Sequence, residues 1–343
     1  MDFSLVIYIA TGLIKLKICA IMSIHFINPE TIHAAAKIIQ NGGVVAFPTE
    51  TVYGLGADAF NALAVAKIFE IKNRPHFDPL IVHIADDDEF EKLAFVNLTA
   101  KKLALAFWPG PLTMVLKKKS GIPDLVVSGL DTIAIRMPNH PAALSLIRAA
   151  KTPIAAPSAN PFGYLSPTTA KHVSDQLGNK IDFILDGGPC LTGVESTIVD
   201  LSGEAPRLLR PGGISVEDIE KVIGPIQRVQ SESSPIAPGQ LKQHYSPRKP
   251  LRILSLEQMR SHPNLHHAGV LLFKLCSDLT AQSQASEFLS QTGDLKEAAT
   301  NLFSALHRLD HSHAEIIFAE PVPEVGLGLA IMDRLRKAAA TYE

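Results

Sequence analysis

A tract rich in Pro, Ser and Gln, over residues 225–250, interrupts an otherwise regular alternation of two kinds of segment along this chain. On both sides of it, short apolar runs typical of buried strands alternate with segments whose apolar residues recur at helical spacing. This alternation indicates an α/β fold, and the tract has the composition of a linker. We therefore predict two α/β domains, over residues 27–224 and 251–343, joined by a linker over residues 225–250.

The first predicted domain begins with a helix that Asn28 caps and Pro29 opens, and that ends at Gly42 and Gly43. Further helices are predicted over 61–71, 87–94, 99–107 and 141–150, with two more opened by Ser166 and Ser215. Its predicted strands are 44–47, 80–84, 112–116, 132–137, 154–156, 183–185, 197–201 and 207–209. In the second domain, strands 251–254, 269–273 and 315–318 alternate with helices 281–289, 295–309 and 329–340, which favours a largely parallel sheet.

Length and composition exclude several classes of protein. The 343 residues suit about two domains at roughly 150 residues each. With 46% hydrophobic and 19% charged residues, the chain is too apolar for a disordered protein and too evenly interrupted by charge for a polytopic membrane protein. A formal charge of -2 provides no overall basic field for nucleic acid or anionic lipid. Any polyanion must therefore meet a local cluster of cations.

The N-terminus poses the one question of targeting. Residues 3–14 form an apolar run, which is short against the ~20 residues of a membrane span. It lacks both a preceding basic segment and a small-residue cleavage site, so a signal peptide is disfavoured. We expect Met22 to be the true start, which makes residues 1–26 an extension. The three cysteines form no C-x-x-C pair and indicate a reducing cytoplasm; they are Cys19, Cys190 and Cys276.

Polar tracts follow several of the predicted strands and helices. Residues 48–56, PTETVYGLG, follow one buried strand, and residues 157–160, PSAN, follow another. Lys72 and Arg74 flank Asn73 just before a proline, and Arg210 precedes Pro-Gly-Gly. Each tract alone also fits turn chemistry or a solvated surface. Together they lie at strand and helix ends, where backbone donors can bind an anion. His266-His267 and His311-Ser312-His313 lack a second ligand pair, so no resident metal is expected.

These tracts, with others, resemble the YrdC-like domain of threonylcarbamoyl-adenylate synthases. The matching segments are FPTETVYGLGADA, IFEIKNRP, PLIVHI, WPGPLTMVL, TIAIRMPNHP, PSANPFGYLSPTTAKHV, GVESTIVD and RLLRPGGI. The segment APGQLKQHYSP and the α/β tail resemble the longer, two-domain branch of the family. The resemblance implies a twisted mixed sheet with flanking helices and a concave site, followed by a smaller Rossmann-like α/β domain.

The resemblance also implies an activity. Such enzymes are nucleotidyltransferases that combine L-threonine, bicarbonate or carbon dioxide, and ATP into threonylcarbamoyl-AMP and pyrophosphate. A separate tRNA-modifying complex uses the product on the adenosine beside the anticodon. The implied partners are therefore these three substrates, Mg²⁺ carried with ATP, and contact with tRNA or that complex, with no membrane involved.

Residue by residue, the resemblance places the catalytic cations at Lys72 and Arg74. Nucleotide-binding positions are implied at Lys72, Arg74, Thr132, Ser158, Asn160, Ser166 and Arg210. Threonine-binding positions are implied at Thr49 or Thr51, His83, Arg136, Ala156 and Ser196. Tyr245, beside His244, lies in the linker that folds back over the site in relatives and is also assigned to ATP. Asp78 stands where the family usually has Asn. It either coordinates magnesium with the ATP or points away from the nucleotide.

Two other functions remain alternatives. The first is a module that binds tRNA or double-stranded RNA, which the balanced charge disfavours. The second is formation of a carbamoyl-adenylate, as in hydrogenase-maturation carbamoyltransferases. Those larger proteins carry acylphosphatase and zinc-finger segments, and this chain shows neither.

Overall fold

The computed structural model describes residues 24–181, 183–228, 236–241 and 244–340. Within these residues, fifteen strands form one sheet of eleven strands and one of four. The large sheet contains every strand up to residue 228, and the small sheet contains every strand from residue 251 onward. Residues 1–23 of the predicted N-terminal extension, with the Met22 start, lie outside the described residues, as does part of the predicted linker. Residues 24–26, which we assigned to the extension, form the first strand of the large sheet. The predicted domain limits stay predictions.

The large sheet is mixed. Its strands are β1 (Ile24–Phe26), β2 (Val45–Phe47), β3 (Gly54–Asp58), β4 (Ile81–His83), β5 (Leu112–Lys117), β6 (Thr132–Arg136), β7 (Ile154–Ala155), β8 (Ile184–Asp186), β9 (Thr197–Asp200), β10 (Arg207–Arg210) and β11 (Gln227–Arg228). Their order is β1-β8-β2-β3-β7-β4-β6-β5-β9-β10-β11. Pairs such as β4/β6 and β5/β9 are parallel, whereas β2/β3 and β4/β7 are antiparallel. This confirms the predicted twisted mixed sheet.

The helices of the first unit begin at side-chain caps. They are α1 (Pro29–Gln40), α2 (Ala62–Lys72), α3 (Asp87–Leu93), α4 (Leu98–Phe107), α5 (Asp124–Val127), α6 (Pro141–Ala150), α7 (Ala170–Leu177) and α8 (Val216–Ile223). In α1, Asn28 accepts from the Thr31 backbone N–H at 2.8 Å while the Thr31 hydroxyl accepts from the Asn28 N–H, which satisfies two N–H groups of the helix start. Asn61 and Asn97 cap α2 and α4 in the same way.

The second unit is a four-stranded parallel sheet, in the order β12-β15-β13-β14. Its strands are β12 (Leu251–Ile253), β13 (Ala268–Lys274), β14 (Ala285–Ser290) and β15 (Ile316–Ala319), and its helices are α9 (Leu256–Ser261), α10 (Ser277–Gln282), α11 (Leu295–His311) and α12 (Gly328–Ala339). Val52, Leu165 and Val194 of the first unit pack in one apolar cluster with α11 and α12. The second unit is therefore packed against the loops that carry the candidate tracts.

Two predicted elements are wrong, and one strand was missed. The predicted helix over 281–289 ends at Gln282, and strand β14 follows it, because pairing with β13 outweighs the helical spacing of its apolar residues. The helix assigned to Ser166 begins at Ala170, where Thr169 accepts from the His172 N–H, because the Ser166 hydroxyl is buried against Glu195. Strand β3 begins at Gly54, inside the tract 48–56, and continues to Asp58, where no strand was predicted. No helix among the described ranges is long and apolar enough to cross a membrane.

Candidate functional site

A pocket lies where the candidate tracts meet. It is lined by Thr49, Val52, Tyr53, Gly54, Arg74, Ile81, His83, Arg136, Ala156, Pro157, Ser158, Glu195, Ser196, Arg210, Pro238, Gly239, His244 and Tyr245. Segments separated by almost two hundred positions in the sequence therefore border one space. Ten of the sixteen candidate residues are among them: Thr49, Arg74, His83, Arg136, Ala156, Ser158, Ser196, Arg210, His244 and Tyr245.

The pocket crosses the face of the sheet instead of following one edge. The loops after β2 and β7 leave strands that run in the same direction, since each of these strands is antiparallel to β3. His83 and Arg136 lie at the ends of β4 and β6, which run the opposite way. These strands are only two to five residues long. The ends of strands that run in opposite directions therefore border the same cavity.

The side chain of Lys72 contacts the loop over residues 157–160, PSAN, and does not line the cavity. Its side chain is 1% exposed, and its ammonium donates to the Ser158 carbonyl at 2.6 Å and to the Asn160 carbonyl. Burial, followed by the charge of Arg74, holds the pKa of Lys72 well below its ordinary value. Lys72 is not among the lining residues. It ties the end of α2 to the PSAN loop, so that Ser158 faces the pocket.

Arg74 lines the pocket and is paired with the unusual carboxylate. Its Nη2 lies 2.8 Å from Asp78 Oδ2, and both side chains are buried. Its Nε and Nη2 also donate to the carbonyls of Asp78 and Pro79, at 3.1 and 2.9 Å. Burial raises the pKa of Asp78, against the opposing charges of Arg74 and Lys72. Asp78 therefore turns toward Arg74, outside the lining of the pocket.

The threonine-assigned residues form a second part of the wall. The Thr49 hydroxyl is 2.9 Å from the Thr51 hydroxyl and donates to the Val52 carbonyl at 2.6 Å. Thr49 lines the pocket, whereas Thr51 lies behind it. Arg136 Nη2 pairs with Glu50 Oε1 at 2.8 Å. Burial, then the charge of Arg136, lowers the pKa of His83 to about 3, so this ring is neutral at neutral pH. Its Nδ1 has no hydrogen-bond partner among the described residues.

Arg210 is the cation of the pocket whose charge is least compensated. Its Nη2 donates to the Ser196 carbonyl at 3.0 Å, and its Nη1 donates to the Pro238 carbonyl at 3.2 Å. No ion pair involves Arg210 within the part of the chain that the structure describes. The turn that follows requires glycine, since a Cβ on Gly212 would lie 2.3 Å from the Glu195 carbonyl oxygen.

The described part of the linker forms the remaining wall. Pro238, Gly239, His244 and Tyr245 all line the pocket. Tyr245 is 1% exposed and has a left-handed backbone with φ 61°. Residue 239 must also be glycine, because a Cβ there would lie 2.5 Å from the Tyr245 hydroxyl. The Ser246 N–H donates to the Gly163 carbonyl at 2.8 Å, which attaches this segment to the loop after PSAN.

Other assigned residues lie outside the lining. Asn160 donates through Nδ2 to the carbonyls of Pro161 and Tyr164, each at 2.9 Å. Ser166 donates to the Glu195 carboxylate, and Thr132 opens β6 opposite Lys117. Two residues that sequence reasoning did not assign carry charge at the site: Glu50 and Glu195. Both stand inside the quoted tracts, but nothing in the sequence indicates which arginine each one meets.

Comparisons with known proteins agree with this geometry. A family model described as "Telomere recombination" (Sua5_yciO_yrdC) matches residues 37–212, and one described as "Threonylcarbamoyl-AMP synthase, C-terminal domain" matches residues 214–340. The threonylcarbamoyl-AMP synthase of Pyrococcus abyssi is 44% identical over 90% of this chain and 94% of its own length, and that of Bacillus subtilis is 45% identical over 91% and 94%. The crystal structure of P. abyssi Sua5 complexed with L-threonine superimposes with a TM-score of 0.86 at 43% identity, covering 92% of this chain and 97% of the other.

Proposed function

The chain belongs to the Sua5 family of threonylcarbamoyl-AMP synthases, and from this premise we propose how its pocket carries out that synthesis. The observation that supports the proposal is the convergence of arginines and small polar side chains from distant segments on one cavity. We assign the Arg74 and Arg210 side of this cavity to ATP. We assign the side formed by Thr49, His83 and Arg136 to L-threonine.

The reaction requires positioning more than a protein nucleophile. The amine of threonine adds to carbon dioxide, supplied as such or from bicarbonate, and releases a proton to form a carbamate. A carbamate oxygen then forms a bond to the α-phosphorus of ATP, and the bond from that phosphorus to the bridging oxygen breaks as pyrophosphate leaves. Holding three reactants in one cavity removes most of the entropic barrier to their encounter.

Charge on the phosphoryl oxygens favours Arg210 as the principal electrostatic group. Arg74 and Arg136 each lie within 2.8 Å of a carboxylate, so the field of each is partly cancelled. Arg210 instead keeps its donors on two carbonyls, and its charge remains available to an anion. A fixed guanidinium in a water-poor site stabilises charge that develops in the transition state.

Neutral His83 suits the threonine side. As a neutral ring that lines the pocket, it can accept a hydrogen bond from the ammonium or hydroxyl of the amino acid through one of its nitrogens. A protonated imidazole there would repel the ammonium group. The lowered pKa of His83 keeps this acceptor available throughout the neutral range.

The linker segment protects the intermediate. His244 and Tyr245 form part of the wall of the pocket, and both are buried. Water hydrolyses carbamates and mixed anhydrides, so a covered cavity favours adenylation over loss of the intermediate.

The residues of the pocket do not form a resident metal site. No cluster of three or more His, Cys, Asp or Glu side chains suited to a metal occurs among the residues described here. The lining carboxylate Glu195 is paired with an arginine, as are Glu50 and Asp78 outside the lining. We therefore assign any Mg²⁺ to the ATP phosphates and route no step through it. Use of the product in tRNA modification, contact with tRNA and a cytoplasmic location stay proposals.

The test is pyrophosphate release with each substrate omitted in turn, together with mass spectrometry of the adenylate. We expect release that needs both L-threonine and bicarbonate. The Arg210→Met variant should lose about 100-fold or more in turnover, as expected for a group that stabilises the transition state. Arg148→Met is the matched control, because Arg148 forms an exposed ion pair with Asp86. Release that ignores threonine but follows carbamoyl phosphate would support the carbamoyl-adenylate alternative instead.

A further inference from the structure

Helix α12 of the second unit places a guanidinium behind the wall of the pocket. Arg334 is 0% exposed, although it stands on a C-terminal helix that is far in sequence from every candidate tract. Its Nε donates to Glu195 Oε2 at 2.8 Å, and its Nη1 donates to the Pro211 carbonyl at 3.0 Å. Arg334 therefore contacts the residue after Arg210 and the carboxylate before Ser196.

The same helix supports the linker wall. The Arg334 guanidinium lies 4.9 Å from the centroid of the Tyr245 ring, within the range of a cation–π contact. One turn later, Lys337 Nζ donates to the Gly239 carbonyl at 2.7 Å. Asp333 lies between the two cations, 2.5 Å from Arg334 and 2.8 Å from Lys337. Two lining residues of the linker thus rest on side chains of α12.

Glu195 stands between two cations, and only one of them contacts it. Burial raises the pKa of Glu195, but the charges of Arg334 and Arg210, with the Ser166 hydrogen bond, more than offset this effect and hold it below its usual value. The ion pair is made with Arg334, while Arg210 donates to carbonyls. A buried carboxylate deprived of its partner requires a new one, and Arg210 is the other cation whose charge acts on it.

We propose that Arg334 is a positioning residue for nucleotide binding. It neutralises Glu195 so that Arg210 stays available to the phosphates, and it supports the ring of Tyr245 at the mouth of the pocket. The C-terminal unit thereby completes the ATP side of a site whose lining belongs to the first unit and the linker. This inference rests on the proposed function, because it takes the anion at Arg210 to be ATP.

The experiment compares Arg334→Met with Arg336→Met in the full-length protein. Arg336 lies on the same helix, but its ion pair with Glu324 is half-exposed, so its loss is a matched control. Isothermal titration with ATP measures the dissociation constant and the fraction of competent sites separately. We expect Arg334→Met to raise the dissociation constant for ATP about 10-fold, because Arg210 loses one charge interaction with the phosphates. The KM for ATP should rise in proportion. The control should match the wild type.

Two further variants separate positioning from general stability. Arg334→Lys keeps a charge beside Glu195 but loses the planar guanidinium on the Tyr245 ring, so it should restore ATP binding only in part, to about 3-fold weaker than the wild type. Glu195→Gln combined with Arg334→Met leaves no carboxylate to capture Arg210 and should bind ATP more tightly than Arg334→Met alone. A merely structural role would lower the fraction of competent sites in Arg334→Met and leave the dissociation constant unchanged, which would overturn the proposal.

A readout without ligand separates this inference from the proposed function. Hydrogen exchange of the peptide that contains Tyr245 should be faster in Arg334→Met than in Arg336→Met, because the ring loses its support. Equal exchange in the two variants overturns the inference whatever the activity. If the wild type binds no ATP, both the proposed function and the role of Arg334 in nucleotide binding are overturned. The exchange result then tests only whether Arg334 supports Tyr245.

Discussion

Replacing Lys72 with methionine should destabilise the protein as well as inactivate it. The ammonium of Lys72 donates to the carbonyls of Ser158 and Asn160 in a place from which water is excluded. Methionine keeps most of the length of the side chain and removes both hydrogen bonds. Two buried carbonyls then lack a donor, and the PSAN loop loses its connection to the end of α2.

The expected magnitude follows from these two contacts. Hydrogen bonds to charged groups contribute about 1.5–3 kcal/mol each, so the two together contribute roughly 3–6 kcal/mol. The variant no longer buries a charged ammonium group, which offsets part of this loss. We expect the free energy of unfolding to fall by about 3 kcal/mol. At ~2–4 °C per kcal/mol, the melting temperature should fall by roughly 6–12 °C.

The assay is thermal unfolding with pyrophosphate release measured on the same samples. Lys67→Met is the matched control: the exposed Lys67 stands on the same helix and donates to a single carbonyl, that of Gly42. Its replacement should cost less than about 0.5 kcal/mol, since water can take its place. A Lys72→Met variant that melts with the wild type but loses activity would refute this reasoning, because Lys72 would then act on the substrate directly.

Two further predictions concern the domain contact and the Arg210 turn. His172 and His307 stack at 4.0 Å between α7 and α11, and burial lowers their pKa values to about 3 and about 4. Below about pH 6.5 the unfolded chain binds a proton on each histidine and the folded chain does not, so the free energy of unfolding should fall as the pH drops from 6.5 toward 4. In denaturant titrations, His172→Gln should make the free energy of unfolding depend less steeply on pH. An unchanged dependence would contradict this prediction. Gly212→Ala should lower the melting temperature and displace Arg210, because its Cβ meets the Glu195 carbonyl; a variant with normal ATP binding would contradict the role of the turn.

Local patterns accounted for much of the fold. The Asn28 cap, the first helix and most strands of both units are encoded by residues close together in sequence. Strand β14 was mistaken for a helix because its stability comes from pairing with β13, which no local pattern reports. Strand β3 was missed for a similar reason, since its glycines suggested a turn whereas they allow close packing: a Cβ on Gly56 would lie 2.6 Å from Ile154.

The candidate site was predictable as a set of tracts but not as a set of contacts. The tracts at Thr49, Arg74, Ser158 and Arg210 all reach the pocket. The side chain of Lys72 turns away from it, because two carbonyls of a loop 86 and 88 positions later offer it partners. Arg334 could not have been assigned, since its role depends on the packing of α12 against a wall that belongs to the other unit.

The most direct test of the account is a crystal structure of the protein with L-threonine and a non-hydrolysable ATP analogue. We predict both ligands in the one pocket, with phosphate oxygens within hydrogen-bond distance of the Arg210 guanidinium and the amino acid beside Thr49, His83 and Arg136. A nucleotide bound elsewhere, or phosphates that make no contact with Arg210, would contradict it.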